Sequence, residues 1–399
     1  MIRPLALRTA AEARRELERI GVDPAGIDRM LPKLELLPIL IPRIKPAAAN
    51  ILKQELLSLG GDAAVARGTV ACSLEATDAL LIASRKQLHV LCGKLAQQPF
   101  GLAPLAQELR ELLQNLTAPA DSWQLAQRTL TLQRPLIMGI LNVTPDSFSD
   151  GGCFCSPDAA VDHALQMVEQ GADLIDIGAE STRPGAPLVT AEEELRRLMP
   201  VLERLSGQIT VPISIDTWKA PVAQATLAAG AEIINDISGL TFDPTLSEVV
   251  ARRQAGLVLM HTRGRPDRMQ QDTRYQDLLG DVAAFLAASL QTAAAAGIPA
   301  ERIVLDPGIG FGKDTAGNLE LLRRLRELRG LGRPLLVGTS RKRFIGATLG
   351  RDDTRDRLLG TAATVALAVT EGAAILRVHD VAAMRDVADM AHHIATTST

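Results

Sequence analysis

Residues 135–152 read PLIMGILNVTPDSFSDGG, and this stretch decides the fold. Its first part, residues 136–141, is an apolar run of strand length, and a polar loop that ends in Gly151 and Gly152 follows it directly. An apolar run bounded by turn-forming residues is typical of a buried strand. The same construction recurs along the rest of the chain, so the sequence from residue 135 onward repeats one structural unit.

Strand candidates alternate with amphipathic helical stretches from residue 135 to the C-terminus. The apolar runs are residues 136–141, 174–177, 211–215, 232–234, 257–260, 303–305, 335–337 and 375–378. Such alternation with short connections predicts parallel strands joined by right-handed crossovers. Eight units within residues 135–399 predict an α/β fold, a (β/α)8 TIM barrel. An open doubly wound sheet is the alternative, because the sequence does not reveal the strand order.

Residues 1–116 have the pattern of a separate α/β extension, whose role the sequence does not indicate. Helices are predicted over residues 10–20, 46–59, 84–95 and 102–113, and strands over 36–44, 69–74 and 79–83. Pro38 and Pro42 favour an edge position for the first of these strands. Residues 117–134 are predicted to be a linker with a short strand able to plug or flank the next domain, which covers residues 135–399.

The composition narrows the possible partners. The 399 residues include 43 Lys and Arg against 46 Asp and Glu, with a formal net charge of −3, and 3% of them are aromatic. This balance offers neither a basic surface for phosphate backbones nor a stacking platform for bases. No run approaches the ~18 consecutive apolar residues of a membrane span. We expect a cytoplasmic protein without nucleic-acid or membrane partners.

Polar side chains follow each apolar run, where a TIM barrel carries its chemistry. Asp216, Asn235 and Asp306 stand at strand ends, and their oxygens and amide suit a planar, nitrogen-rich heterocycle. A second group consists of donors suited to anionic oxygen: Thr182, Arg183, Ser340, Lys342, Arg377 and His379. The loops after the last two strands are the usual phosphate site of this fold. Together the two groups predict a heterocycle that carries a diphosphate.

Seven motifs resemble those of the dihydropteroate synthases and occur in that family's order. They are MGILNVTPDSFSDGG, GAESTRPG, SIDTWKA, NDISG, DPGIGFGKD, GTSRKRFIG and RVHD, spread through the C-terminal 265 residues. The resemblance implies a transferase of folate biosynthesis. It would condense 6-hydroxymethyl-7,8-dihydropterin diphosphate with 4-aminobenzoate to give 7,8-dihydropteroate and pyrophosphate, with Mg2+ as cofactor and a homodimer as the assembly.

The resemblance also implies a role for each matching residue. Asp216, Asn235, Asp306 and Lys342 would bind the pterin, Arg377 and His379 the diphosphate, and Thr182, Arg183, Phe311, Ser340 and Lys342 the aminobenzoate. Asn142 would bind Mg2+, and Phe148 and Asp150 would belong to a mobile first loop. Catalysis would rest on Asp216, Lys342, Arg377, His379, Phe148 and Asp150.

Two other functions use a similar pocket. A pterin-binding methyltransferase would hold methyltetrahydrofolate and pass its methyl group to a corrinoid protein, but that chemistry has no use for the SRK and ESTRP motifs at residues 340–342 and 180–184. A catalytically inactive pterin-binding protein would be expected to lack charged residues at the strand ends, and none is missing. Asp176, between apolar neighbours, suits a structural hydrogen bond as well as a functional one.

Overall fold

The computed structural model describes residues 2–5, 7, 9–143, 156–180 and 188–397. The chain forms two compact units, with the boundary between Ala118 and Pro119.

The N-terminal unit is a small antiparallel sheet with helices. Its elements are α1 (Ala10–Ile20), α2 (Pro24–Leu34), β1 (Leu36–Ile44), α3 (Pro46–Ser58), β2 (Asp62–Val65), β3 (Thr77–Ser84), α4 (Arg85–Leu95) and α5 (Leu102–Thr117). The strand order is β1-β3-β2, so β1 lies at an edge, as its two prolines predict. Alternate residues such as Ile39 and Leu81 are buried in the core that this sheet shares with its helices.

The predicted strand over residues 69–74 is wrong. This segment is a turn in which the Thr69 hydroxyl donates to the Ala66 carbonyl at 2.7 Å. Thr69 is buried while Val70 beside it is 82% exposed, and Cys72 has a positive φ of 49°. All of residues 70–74 are exposed, so their side chains do not alternate between a core and a solvent face, and Thr69 closes the turn.

The C-terminal unit contains a closed barrel of eight parallel strands. The strands are β6 (Leu136–Asn142), β7 (Leu174–Gly178), β8 (Ile213–Asp216), β9 (Ile233–Asp236), β10 (Gly256–Met260), β11 (Ile303–Asp306), β12 (Leu335–Val337) and β13 (Ala373–Val378). The helices are α6 (Pro157–Glu169), α7 (Ala191–Leu205), α8 (Ala220–Ala228), α9 (Leu246–Arg253), α10 (Leu278–Ala295), α11 (Thr315–Arg323), α12 (Arg343–Leu349), α13 (Leu358–Thr370) and α14 (Val381–Thr396). The predicted TIM barrel is confirmed, and the open sheet is excluded.

A hairpin of β4 (Ser122–Gln124) and β5 (Thr129–Thr131) precedes the barrel and belongs to the same unit. Trp123 is fully buried in a cluster with the residues that fill the barrel, and its Nε1 donates to the Arg302 carbonyl at 2.8 Å. A Cβ on Gly256 would lie 2.4 Å from Leu125 and 3.2 Å from Trp123, so only glycine leaves room for the hairpin there. The stretch predicted as a linker thus completes the barrel core.

Among the described residues, α10 has the length and composition of a membrane-crossing helix. Its Leu278, Val282 and Leu286 are buried in the core around the barrel. Burial of one apolar stripe is typical of an outer helix of a globular domain.

Strand register places several polar residues at one level. Asn142 pairs with Gly178, Gly178 with Asp216, and Asp216 with Asn235 across β6, β7, β8 and β9. Because parallel strands end at the same face of the barrel, these side chains and those of the following loops line one bowl.

Candidate active site

A network of buried charges lies at the carboxyl ends of the barrel strands. Arg377 on β13 donates from Nε to Asp176 Oδ2 at 2.6 Å and from Nη2 to Asp216 Oδ2 at 2.8 Å. Asp176 is fully buried and also accepts from Ser214 Oγ at 2.6 Å and from Asn235 Nδ2 at 3.0 Å. The guanidinium group is therefore fixed between two carboxylates before any ligand arrives.

Asp176 is the functional candidate to which the sequence analysis assigned no definite role. Its one signal is an acid inside the apolar strand sequence LIDIG. A buried carboxylate needs a charged or hydrogen-bonding partner, and here that partner lies on a strand 201 positions further along the chain. Asp176 connects one predicted pterin ligand, Asn235, to Arg377, which in turn contacts a second one, Asp216.

Space beside Asp216 depends on Gly178. A Cβ at Gly178 would lie 3.5 Å from Asp216 Cβ and 3.8 Å from Asn142 Oδ1. A larger residue would place its side chain between these two groups. The absence of a side chain keeps the predicted Mg2+ ligand and the predicted pterin carboxylate facing the same space.

Asp306 and Lys342 form the other side of the bowl. Asp306 Oδ1 accepts from the Gly308 amide at 2.7 Å, and Lys342 Nζ donates to the Ile309 carbonyl. Lys342 Nζ also lies 4.9 Å from the ring centroid of Phe311, a cation–π contact. Burial raises the pKa of Asp306 and lowers the pKa of Lys342 to about 8, and in each case the charge of the other residue opposes the shift.

Ser340 and His379 are brought together at the ends of β12 and β13. Ser340 Oγ accepts from the His379 backbone amide at 3.1 Å and lies 2.9 Å from His379 Nδ1. Arg341, between Ser340 and Lys342, instead forms two hydrogen bonds with Asp380, at 2.7 and 3.1 Å. Ser340 and Arg341 are thus both held by the loop after β13, through His379 and Asp380.

Four predicted site residues lie outside the described part of the chain. They are Phe148 and Asp150 in residues 144–155, and Thr182 and Arg183 in residues 181–187. Asn142, Asp216, Asn235, Asp306, Phe311, Ser340, Lys342, Arg377 and His379 all lie at or just beyond the carboxyl ends of the strands.

A buried lysine joins the loops that follow β7 and β8. Lys219 Nζ lies 2.6 Å from Glu180 Oε2 and 2.8 Å from Glu194 Oε1, and all three side chains are 10% exposed or less. Glu180 also accepts from the Val189 amide at 2.9 Å. Burial raises the pKa of Glu194 to about 7, although Lys219 opposes the shift. The sequence did not indicate a role for this cluster.

The basic cluster of Arg263, Arg265 and Arg268 is divided among separate partners. Arg263 lies 4.7 Å from the Tyr275 ring centroid and pairs with Asp272 at 2.9 Å. Arg265 lies 5.0 Å from the ring centroid of Trp218. These aromatic and acidic contacts give each of the two cations a local partner at the rim.

A sequence model described as pterin binding enzyme matches residues 138–379. The dihydropteroate synthase of Synechocystis is 50% identical over 259 residues, which are 65% of this chain and 90% of that protein. The chain belongs to the pterin-binding enzymes, among the dihydropteroate synthases. The resemblance inferred from the motifs is therefore confirmed, and the methyltransferase alternative is set aside.

Solved structures of dihydropteroate synthases share the barrel. The Xanthomonas albilineans dihydropteroate synthase with 4-aminobenzoic acid aligns with a TM-score of 0.65 and 46% identity, over 70% of this chain and 100% of that one. This agreement extends the confirmation of a dihydropteroate synthase from sequence to fold.

The N-terminal unit also has counterparts. A protein of Halobacterium salinarum named as a probable bifunctional folylpolyglutamate synthase/dihydropteroate synthase is 44% identical over 93% of this chain. The chain spans 44% of the length of that protein. Because the aligned region is longer than the barrel, the similarity includes part of the N-terminal unit of this dihydropteroate synthase.

Proposed function

We propose that the chain condenses 6-hydroxymethyl-7,8-dihydropterin diphosphate with 4-aminobenzoate, releasing pyrophosphate and forming 7,8-dihydropteroate. The observation that carries this proposal is that acidic and amide side chains and basic side chains line the same bowl. Asp216 and Asp306 supply carboxylates and Asn235 supplies an amide. Arg377 and Lys342 supply positive charge beside them. A polar heterocycle with an anionic leaving group matches both.

The acids would hold the pterin. A carboxylate accepts two hydrogen bonds from an amidine edge, and an amide both donates and accepts. Asp216 and Asn235 are paired across β8 and β9, so their side chains present this pattern from adjacent strands. Asp306, from β11, offers a second acidic edge to the same bowl.

The basic groups would stabilise the departing diphosphate. Loss of pyrophosphate leaves positive charge on the electron-rich pterin, so the enzyme needs fixed charges on both fragments more than it needs a strong base. Arg377 is held by two carboxylates, so little reorganisation is required when the leaving group gains charge. Ser340 and His379 would add donors beside it. The weakly basic arylamine is neutral at pH 7 and can attack without proton removal by a side chain.

We propose Mg2+ as the cofactor, with Asn142 as its protein ligand. Mg2+ prefers oxygen ligands and is usually bound through one or two protein groups together with substrate phosphates and water. The amide oxygen of Asn142 meets this requirement, and among the described residues no cluster of three His, Cys, Asp or Glu offers a separate metal site. When bound, Mg2+ would neutralise charge on the diphosphate.

One assay tests the reaction. The purified chain is incubated with the dihydropterin diphosphate, 4-aminobenzoate and Mg2+, and pyrophosphate and dihydropteroate are measured together. We expect both products in equal amounts, and no dihydropteroate when 4-aminobenzoate is absent. If neither product forms with all components present, the proposed reaction is wrong.

We also propose that the chain forms a homodimer. The support is a set of exposed apolar side chains on α13 and α14: Leu359 is 82% exposed, Ile394 72% and Met390 64%. Exposed apolar patches mark interaction sites. Light scattering should give twice the chain mass, and Leu359→Arg with Ile394→Arg should give the single mass. A wild-type chain that stays monomeric at micromolar concentration would contradict the proposal.

We propose a cytoplasmic location, where both small-molecule substrates would be available to the enzyme. Fractionation of cells that contain the natural chain, followed by detection with an antibody, tests this. The chain should appear with the cytoplasmic fraction, and recovery with membranes or in the medium would overturn the proposal.

A further inference from the structure

Lys313 is a buried lysine next to the candidate site that the proposed reaction does not use. It is 3% exposed, and its Nζ contacts His261 Nδ1 at 2.8 Å and the carbonyls of Gly308 and Phe311 at 2.9 Å each. No carboxylate of the described residues lies within 4.0 Å of it. Burying an ammonium group is costly, so burial lowers the pKa of Lys313 to about 7, although the charge of nearby Asp306 opposes the shift.

The partner His261 is itself 3% exposed, and its ring packs edge-on at 5.0 Å from the Phe285 ring centroid. Burial, together with the charge of Lys313, lowers the pKa of His261 to about 3. An ammonium group would donate to a bare Nδ1, and a neutral amine would accept from Nδ1–H. In both cases the imidazole is neutral, so the contact survives a change in the ionisation of Lys313.

The loop that Lys313 holds is built from glycines under tight contact. A Cβ on Gly308 would lie 1.9 Å from the His261 carbonyl oxygen, and one on Gly312 would lie 2.7 Å from Arg263 Cβ. Both glycines have positive φ, 68° and 61°. Residues 308–312 therefore lie directly against the segment that carries His261, and Lys313 ties the two segments together.

The other face of this loop determines the position of Lys342. Ile309 gives its carbonyl to Lys342 Nζ, and the Phe311 ring lies under the same group at 4.9 Å. A Cβ on Gly310 would lie 3.1 Å from Lys342 Cδ. The contacts of Lys342 with the loop come from residues 309–311, which lie in the segment whose Gly308 and Phe311 carbonyls Lys313 holds.

We propose that Lys313, through its contact with His261, is a positioning residue of the synthase: it fixes residues 308–312 and thereby places Lys342 and Phe311 toward the substrates. The inference rests on the proposed reaction. Lys313 does not touch the bowl itself, because its three contacts all face the loop and His261. Its effect on substrates is therefore transmitted by the backbone of the loop.

The first experiment compares Lys313→Met with Leu205→Ala in the full chain. Leu205 is fully buried at the end of α7, so its truncation lowers stability without touching the loop. After correction for the folded fraction, Lys313→Met should raise KM for the dihydropterin diphosphate tenfold or more, while Leu205→Ala keeps the wild-type value. Equal KM values in wild type and Lys313→Met would make Lys313 a purely structural residue.

Two further measurements keep the inference testable if Lys313→Met does not fold. His261→Asn retains an acceptor near the position of Nδ1 and should keep KM within about twofold, whereas His261→Leu, of similar size, should raise it as Lys313→Met does. The imidazole should also remain neutral by nitrogen NMR from pH 6 to pH 9. An imidazolium signal in that range, or equal KM values for His261→Asn and His261→Leu, would overturn the role of His261.

A double variant tests transmission through the loop. Gly310→Ala, at a positive φ of 86° and against Lys342, should disturb the same loop. If both substitutions act through this loop, combining Gly310→Ala with Lys313→Met should raise KM about as much as the worse single variant does. A KM increase equal to the product of the two single increases would overturn the inference. A wild-type chain that forms neither product would instead refute the proposed reaction, and the NMR signal of His261 would still report on its contact with Lys313.

Discussion

Arg377 Nε lies 2.6 Å from Asp176 Oδ2, although the two residues are 201 positions apart in the chain. They stand on β13 and β7, with β6 between them in the barrel. The second carboxylate, Asp216, holds the same guanidinium at 2.8 Å from β8. Arg377 is thus oriented by the barrel itself, and the energetic consequences of this arrangement can be measured.

Asp176→Asn should lower kcat/KM tenfold or more. The change leaves Arg377 with one carboxylate in a buried site, at a cost of about 1–3 kcal/mol. Steady-state kinetics with both substrates measure the effect. Asp389→Asn removes a partner of Arg385 that is 44% exposed and outside the bowl, so it should change kcat/KM less than twofold. Equal kinetics in the two variants would show that Asp176 does not orient Arg377.

Asp306→Asn should weaken pterin binding by about tenfold or more. The substitution places an amide donor where the pterin presents a donor, and two facing donors in a buried pocket cost about 1–3 kcal/mol. Titration calorimetry with the dihydropterin, without 4-aminobenzoate, measures the affinity directly. An unchanged dissociation constant would remove Asp306 from the pterin site.

Glu194 should make the protein less stable as the pH rises from about 5 to 7. Its folded-state pKa is raised from 4.5 to about 7, mainly by burial, so the native state holds a proton that the unfolded chain has already released. Over this window the folded state loses about 1–3 kcal/mol from this group. Urea unfolding at several pH values should show the decrease in wild type and a smaller one in Glu194→Gln. Parallel curves for the two proteins would contradict the assignment.

A chain that begins at Pro119 should fold and retain dihydropteroate synthase activity, whereas one that begins at Pro135 should be insoluble or inactive. The longer chain keeps the hairpin with Trp123, which is fully buried in the barrel core. In the full chain, Trp123→Ala should cost about 3–5 kcal/mol of stability. Soluble yield, thermal unfolding and product formation are the measurements. An active chain from Pro135 would show that the barrel closes without the hairpin.

The sequence predicted more of the barrel than of the unit before it. Each barrel strand is a continuous apolar run, because both of its faces are buried, and such a run is recognised locally. In the N-terminal unit, β2 has the sequence DAAV, which lacks large apolar residues and so does not stand out as a strand. Residues 69–74 include apolar residues although they form a turn. Burial of Thr69 and Ala63 comes from packing against other segments, which local periodicity does not contain.

The sequence by itself determined the barrel and the residues at its strand ends, including Asp216, Asn235, Asp306 and Arg377. Only the tertiary structure decided which of them meet. Closure of the barrel brings Arg377 to Asp176, and loop packing brings Lys313 to His261, 52 positions away. Periodicity records whether a side chain faces the core, but the partner of a buried charge is fixed by strand register and loop path, which depend on the whole chain at once.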